Sequence, residues 1–532
     1  MTSIGYFAFT NCAALTDVYY SGTEVEWNAI SIGHSNDKLT TSTIHYNYQI
    51  IDEGICGAEG DNLIWTLDSE GLLTISGEGE MEDWTSSFDV PWYDYRQDIV
   101  NAKVESGVTS IGDSAFYECG GLTSITLPDS VTSIGDGAFY CCNALTSITL
   151  PDSVTRIGES VFESCGGLTN ITLPDSVASI GDSAFAYCVG LTDITIPESV
   201  TSIGGSAFYG TPWLKNKQVE NPLVIINSIL IDGTTCTGNV VVPDGVTSIG
   251  DGAFAVCGEL TSITIPDGVT CIGDSAFVYC YSLTNITVPE SVISVGDEAF
   301  SGTPWLEGKL EENPLVIINS ILICGVACEG DVVVPDGVTS IGSSAFYECR
   351  ALTSVTLPES VTSIGDSAFG FCSSLKVITI PEDISSIGDM TFNNCNKLTS
   401  ITIPEGITSI GDGAFRVCYQ LTSIIILNPT CEIYDSEYTI SDTAAIYGFP
   451  NSTAQAFAEK YDRTFVAIEE DPAVKIIASG ECGAEGSNLN RTLNFKGLLT
   501  ISGEGEMENW SLISEAPWYE YRLNIVNAEI EK

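Results

Sequence analysis

A chain of 532 residues exceeds what one compact core supports, so it folds as several domains or as a repetitive stack. A hydrophobic fraction of 44% excludes a disordered chain, and a formal charge of −53, from 71 acidic against 18 basic side chains, demands an acidic skin over a filled interior. Scarce, scattered cations argue against nucleic acid and anionic lipid as partners, and no apolar run reaches the length that spans a bilayer.

Residues 1–48 open without the basic start and apolar block of a signal peptide. MTSIGYFAFTNCAALTDVYY reads instead as one turn of a repeat, around Phe9 and Cys12, and residues 21–48 as a β-type end segment. Residues 54–105 form a β-rich module containing GICGAEG (54–60), GLLTISGEGEMEDW (71–84) and PWYDYR (91–96). It leads straight into a periodic array and is expected to cover the open first turn as an N-terminal cap.

The array occupies residues 106–427. Phe116, Phe139, Phe162, Phe185 and Phe208 stand 23 residues apart, as do Phe254, Phe277 and Phe300, then Phe346, Phe369, Phe392 and Phe415. The two gaps are each 46 residues, and Ile231 and Ile323 are expected to hold the missing slots. One period reads FYECGGLTSITLPDSVTSIGDGA, with Phe116, Cys119, Leu122, Ile125, Leu127, Val131, Ile134 and Ala138 apolar. Leu122, Ile125 and Leu127 fit the L-x-x-L-x-L pattern in which a short strand turns three side chains inward. Pro128 ends that strand, because proline cannot donate to a sheet ladder, and Gly135 marks a second bend needing positive φ or close approach. A lone turn could not fold. Eight buried apolar side chains contribute roughly 1.5–3 kcal/mol each, whereas ordering each residue costs roughly 1–2 kcal/mol. Stacked neighbours must make up the deficit.

Residues 428–470 read as a C-terminal cap, with STAQAFAEKYD (452–462) as a short helix capped by Ser452 or Thr453 and apolar at Ala456, Phe457 and Tyr461. The TFVAIEE strand follows. Residues 480–532 repeat the 54–105 module at an offset of 426: GECGAEG (480–486), GLLTISGEGEMENW (497–510) and PWYEYR (517–522). The second copy stops where its own array should begin, so the chain is expected to be cut from a longer tandem protein or to come from an incomplete gene.

The unit L-x-x-I-x-L-P…V-x-x-I-G-x-x-A-F-x-x-C resembles the BspA-like (Treponema pallidum-type) leucine-rich repeat of bacterial surface proteins over residues 106–427. Two turns depart from it in the same way, GTPWLKNKQVENPLVIINSILIDG (210–233) and GTPWLEGKLEENPLVIINSILICG (302–325), each losing the F-x-x-C corner and ending in a β-rich stretch. The resemblance implies a leucine-rich-repeat solenoid with a parallel β-sheet on one face. It also implies a cell-surface adhesion or host-protein-binding role without catalytic residues.

Three sets of residues invite a site reading. Eleven of the 19 Cys share one slot: Cys12, Cys119, Cys142, Cys165, Cys188, Cys257, Cys280, Cys349, Cys372, Cys395 and Cys418. Parallel side chains along one edge do not converge on a metal, so a row of small buried thiols acting as hydrophobes is expected. Cys141 beside Cys142, and Cys324 near Cys328, fall outside that rule. Acidic side chains form two ladders. One runs through Asp113, Asp136, Asp182, Asp251, Asp274, Asp297, Asp366, Asp389 and Asp412. The other runs through Asp129, Asp152, Asp175, Asp244, Asp267 and Asp336, with Glu198, Glu290, Glu359, Glu382 and Glu405 in the same slot. Bound cations would relieve their repulsion, but no EF-hand or calcium-repeat motif is present, and solvated edge charges are the expected reading. The outward strand positions form the third set: Ser124, Thr126, Ser147, Thr149, Asn170, Thr172, Asp193, Thr195, Ser262, Thr264, Asn285, Thr287, Ser354, Thr356, Ser400 and Thr402. In leucine-rich repeats these line the concave sheet, the usual contact surface; Thr also simply suits an exposed strand.

Catalysis has few parts. The only histidines are His34 and His45, and Glu78, Glu80 and Glu82, which lie close together as paired carboxylates for glycoside hydrolysis do, read as structural or solvated along a strand. The sequence therefore points to a non-enzymatic binding scaffold at the cell surface or secreted. It implies no cofactor and no metal, and its partners would be proteins or glycans. A structural spacer is the alternative and a carbohydrate-active enzyme the remote one.

Overall fold

The computed structural model describes residues 1–468 and, beyond them, the strands Ile476–Gly483, Gly486–Asn494, Leu498–Gly503 and Asn527–Ile530. Two compact units result: Met1–Thr235 with Gly250–Ala253, and Cys236–Ile249 with Phe254–Lys532.

In the first unit, residues 1–48 are not purely β. Strand Ser3–Ile4 pairs in parallel with Ser31–Ile32, and Asp17–Tyr20 with Thr43–Tyr46. Two short helices, Glu24–Asn28 and Asp37–Thr41, lie between them. The first has a capping box, with Thr23 and Glu26 each satisfying the other's backbone N–H. Strands Ile50–Gly57, Gly60–Asp68 and Leu72–Gly77 then form an antiparallel sheet. Asn101–Val104 adds to it in parallel and pairs on its other edge with Ser124–Thr126, so this strand is also the first rung of the array. Trp92 packs edge-on to Trp65 and Trp84, lies 6.0 Å from the Phe116 ring and donates its indole N–H to the Ala115 carbonyl.

The array is a β-solenoid of 23-residue turns, and each turn carries more than the single strand its sequence pattern suggests. Strands such as Asn170–Thr172 and Asp193–Thr195 pair in parallel, residue on residue, one turn apart. A second ladder is built from dipeptides: Arg156–Ile157, Ser179–Ile180 and Ser202–Ile203. A third, outside any strand, runs along the loop around each Phe. The Ser114, Phe116 and Glu118 N–H groups donate to the carbonyls of Asp136, Ala138 and Tyr140 in the next turn, while the intervening Ala115, Tyr117 and Cys119 N–H groups bond within their own turn. This alternation needs left-handed backbone at Ser114 and Glu118 (φ 58° and 56°), as at Ser160 and Ser164 (φ 52° and 61°). Such conformations cost non-glycine residues roughly 1–2 kcal/mol, and the inter-turn hydrogen bonds offset that cost. Gly135 serves close approach rather than positive φ: a Cβ there would come within 2.7 Å of the backbone of the preceding turn. The three-residue ladder has gaps, because Ser147–Thr149 forms no regular strand.

Inside each turn the Phe rings stack nearly parallel. Successive centroids from Phe116 to Phe208 are 5.2, 5.5, 5.4 and 5.6 Å apart. The second unit repeats this at Phe254–Phe277–Phe300 and from Phe346 to Phe415.

The departing turns replace the corner with a helix, Pro212–Glu220 or Pro304–Glu312, capped by a buried Thr with Pro in its first turn. An antiparallel hairpin follows, Val224–Ile226 with Ile229–Asp232 or Val316–Ile318 with Ile321–Cys324. Positive φ at Asn227–Ser228 and Asn319–Ser320 gives its two-residue turn. Ile231 and Ile323 do not hold the Phe slot; both are only half-buried. The slot's backbone position falls two residues later. Gly233 and Gly325 make the Phe-type bond to Ala253 and Ala345, and Gly325 also takes the thiol of Cys349. A side chain there is impossible, since a Cβ on Gly325 would sit 2.5 Å from the Phe346 ring.

At the far end of the described array, the helix Thr453–Lys460 is capped by Ser452 and buries Ala454, Phe457 and Ala458. Ala456, expected on the apolar face, is not among the buried residues of this helix. Strand Phe465–Ala467 closes the sheet Ser400–Ile403, Ser423–Ile426, Ala445–Gly448 in parallel. The four strands beyond residue 475 repeat those of residues 50–104 at the 426 offset in the same pairing and register. PWYEYR (517–522) lies outside the described residues.

Because Phe162 is fully buried between two parallel rings, Phe162→Ala should destabilise the array by about 3–5 kcal/mol. This is read as a lower urea midpoint by circular dichroism.

Candidate functional site

Of the fourteen positions from Ser124 to Thr356 that head the outward strand set, twelve are exposed, and Ser262 and Ser354 are half-buried. Parallel pairing sets them in rows: Asn170 beside Asp193 and Thr172 beside Thr195 in the first unit, Ser262 beside Asn285 and Thr264 beside Thr287 in the second. Ser147 and Thr149 occupy the gap in the ladder. Three hydroxyls of the set are committed to the neighbouring rung. Ser124, Ser262 and Ser354 each donate, at 2.7 Å, to the side-chain oxygen of Asn101, Asn239 or Asp331. Ser400 and Thr402 lie in strand Ser400–Ile403 and are half-buried.

The exposed aromatics lie elsewhere, on the loop that follows each Phe. Tyr187 and Tyr209 in the first unit and Tyr279, Tyr281 and Tyr347 in the second are between 37% and 64% exposed. Tyr117 and Tyr140 stack at 4.7 Å. Reading the strand alone misses them, although their position shortly after the Phe is a signal the sequence carries.

The cysteine column is more than a row of hydrophobes. Cys142, Cys165 and Cys188 donate their S–H to the carbonyls of Phe116, Phe139 and Phe162 in the preceding turn at 2.9–3.1 Å, and Cys372, Cys395 and Cys418 repeat the contact. Burial pushes the thiols of Cys119, Cys188 and Cys418 up to about 12. Cys12 departs from the column and is exposed, its turn around Phe9 being only half-packed. Cys324 and Cys328 are buried, and Cys141 is half-buried.

The first acidic ladder is likewise not simply solvated. Five of its Asp carboxylates accept the backbone N–H of the same slot one turn on: Asp113 from Asp136, Asp136 from Glu159, Asp182 from Gly205, Asp366 from Asp389 and Asp389 from Asp412, at 2.7–2.8 Å. The short Asp side chain reaches this amide, which explains its dominance in the slot. Burial raises the Asp113 pKa, with Asp83 and Asp136 adding to the effect and the Asp136 N–H opposing it. The Asp members of the second ladder are all exposed. Among the described residues, no three His, Cys, Asp or Glu side chains gather as metal ligands.

The residues weighed for catalysis do not assemble. His45 lies between Asp17 and Glu70 (3.0 and 3.2 Å) and stacks on Tyr19; the Asp17 hydrogen bond raises its pKa. His34 stacks on Tyr6. Glu78, Glu80 and Glu82 lie past the end of strand Leu72–Gly77 rather than along it. The Asn62 side chain holds the backbone carbonyls of Glu78 and Glu80.

Inward Leu, Ile and Phe, parallel rungs and a 23-residue turn define a leucine-rich-repeat solenoid. The model of the BspA type leucine-rich repeat region (six copies) matches residues 92–215, 206–321 and 328–443, and the chain belongs to that family. Among solved structures it is similar to a leucine-rich repeat protein from Eubacterium ventriosum, with 26% identity over 69% of this chain and 95% of that one and a TM-score of 0.35. It is also similar to a leucine-rich cell surface protein from Faecalibacterium prausnitzii (28% identity, 71% of this chain and 94% of that one, TM-score 0.27). A third is the T. pallidum leucine-rich repeat protein (27%, 36% and 82%, TM-score 0.22). No curated protein matches the chain. No helix among the described residues is long and apolar enough to cross a membrane.

The thiol and carboxylate columns can each be checked. Brief iodoacetamide treatment of the folded protein should alkylate Cys12 ahead of Cys142, Cys165, Cys188 and Cys395, which react only on unfolding because the thiolate is the nucleophile; peptide mass mapping reads the order. Asp389→Ala should cost about 1 kcal/mol through the lost inter-turn bond. Asp389→Asn keeps an acceptor and sheds a like charge, and should leave the urea midpoint equal or higher.

Proposed function

We propose that this chain is a non-enzymatic binding scaffold of the cell surface or secreted space, presenting its strand face to proteins or glycans. The observation that carries this reading is the row of outward hydroxyl and amide side chains at Ser124, Thr126, Asn170, Thr172, Asp193 and Thr195, and at Thr264, Asn285, Thr287 and Thr356, held at fixed register by an interior that is filled turn after turn. Membership of the BspA type leucine-rich-repeat family supports it. In this reading residues 54–105 cover one end of the array, where Trp92 lies on Phe116, and residues 428–470 cover the other with the Thr453–Lys460 helix. The strands after residue 475 begin a second copy of the first module.

A spacer role is the second reading. It is favoured by the monotony of the face and by the hydroxyls of Ser124, Ser262 and Ser354 being spent on neighbouring rungs.

Immobilised full chain should retain ligands from panels of extracellular matrix proteins and glycans. Replacing Asn170, Thr172, Asp193 and Thr195 together by Lys should weaken the best ligand about 10-fold or more, with an unchanged melting curve. Silence across both panels, or full retention by the quadruple variant, would overturn the strand-face reading and favour the spacer.

A further inference from the structure

The two departing turns share a backbone plan but differ at three facing positions. In the first unit the Gln218 amide donates to Asp232 at 3.0 Å and to the Thr234 hydroxyl at 3.4 Å, and Thr234 donates to Asp232, closing the space between helix and hairpin with a polar knot. The equivalent residues in the second unit are Leu310, Cys324 and Val326, which cannot make those bonds. There the helix stands less deeply packed. Trp305 and Leu306 are half-buried where their counterparts Trp213 and Leu214 are buried. A cavity of about 260 Å³ results, lined by Leu306, Leu310, Cys324 and Val326, with Tyr347 at one wall. That is just below the roughly 300–1,000 Å³ of most small-molecule sites, so only a small ligand would fit.

One more exchange gives the cavity its chemistry. Where the first unit has Gly205, the second has Asp297. Ser344 donates to its Oδ2 at 3.1 Å, the Glu298 backbone N–H also favours the charged carboxylate, and Oδ1 is shielded from water. Burial raises the carboxyl pKa, with Asp274 and Asp366 pushing the same way. The charged residues lining the cavity are Asp297, Glu298 and Glu307, all acidic. Asp297 as a whole is only half-buried and lines the cavity, and a carboxylate held partly out of water gains from a cation that hydrogen-bonds to its accessible side.

We propose that this cavity binds a small primary amine carried on an apolar, ring-sized body, with the ammonium on Asp297 and the body against Leu306, Leu310 and Val326. Titration calorimetry of the full chain with phenethylamine and with its neutral counterpart 2-phenylethanol tests it. Phenethylamine should bind about 10-fold tighter or more, the usual advantage of a charge-assisted hydrogen bond. Asp297→Asn should erase that preference. Installing the first unit's side chains, Leu310→Gln with Cys324→Asp and Val326→Thr, should abolish binding of both compounds while the circular dichroism spectrum stays unchanged. Equal affinity for the two compounds, heat from neither, or binding that survives the triple substitution would each overturn the proposal.

Discussion

Each turn of this protein must satisfy its backbone hydrogen bonds on the turn before and the turn after it. Buried N–H and C=O groups have to be paired, and a 23-residue loop has too few internal partners to do so alone. Three ladders supply the missing partners. They are the strand carrying the outward Ser and Thr, the dipeptide strand ending in Ile, and the loop around Phe where alternate N–H groups point to the next turn. Once backbones are locked at this offset, like side chains fall over like, producing columns of Phe rings, thiols, aspartates and close-packed glycines.

That constraint accounts for the side-chain choices better than hydrophobicity does. A Cys at the corner fills a small buried space and also donates to the preceding Phe carbonyl. An Asp at the bend is short enough to accept the next turn's amide. Ser and Gly dominate the left-handed slot before the Phe, with Glu298 and Met390 as exceptions. The departing turns obey the same rule by other means. Helix and hairpin take up the chain, and Gly233 and Gly325 supply the Phe-type backbone bonds, at Gly325 where no ring can fit.

In the proposed binding role, recognition would fall to whatever the ladders do not consume. Apart from the hydroxyls of Ser124, Ser262 and Ser354, which bond to the neighbouring rung, and the stacked pair Tyr117 and Tyr140, the strand-face side chains and the tyrosines after each Phe project outward and can vary turn by turn at little cost to stability. The same freedom allows two near-identical departing turns to differ, one sealed by Gln218, Asp232 and Thr234 and the other opened by Leu310, Cys324 and Val326. The acidic skin fits this picture, since the Asp and Glu of the second ladder are all exposed.

The repeat, its period, the inward Leu-Ile-Leu strand and the outward strand set were all legible in the sequence, because a solenoid writes its geometry as a fixed residue spacing. The Phe ruler also located both departing turns. It misplaced their slot at Ile231 and Ile323, since a helix followed by a hairpin restores phase without preserving residue-by-residue equivalence. What only the tertiary structure decided were the partners across turns: the thiol on a carbonyl, the carboxylate on an amide, the loop ladder with its positive φ values. Spacing reports that residues align in a column; it does not report which atoms in that column meet, and an aspartate facing water and one holding the next turn look the same until the turns are stacked.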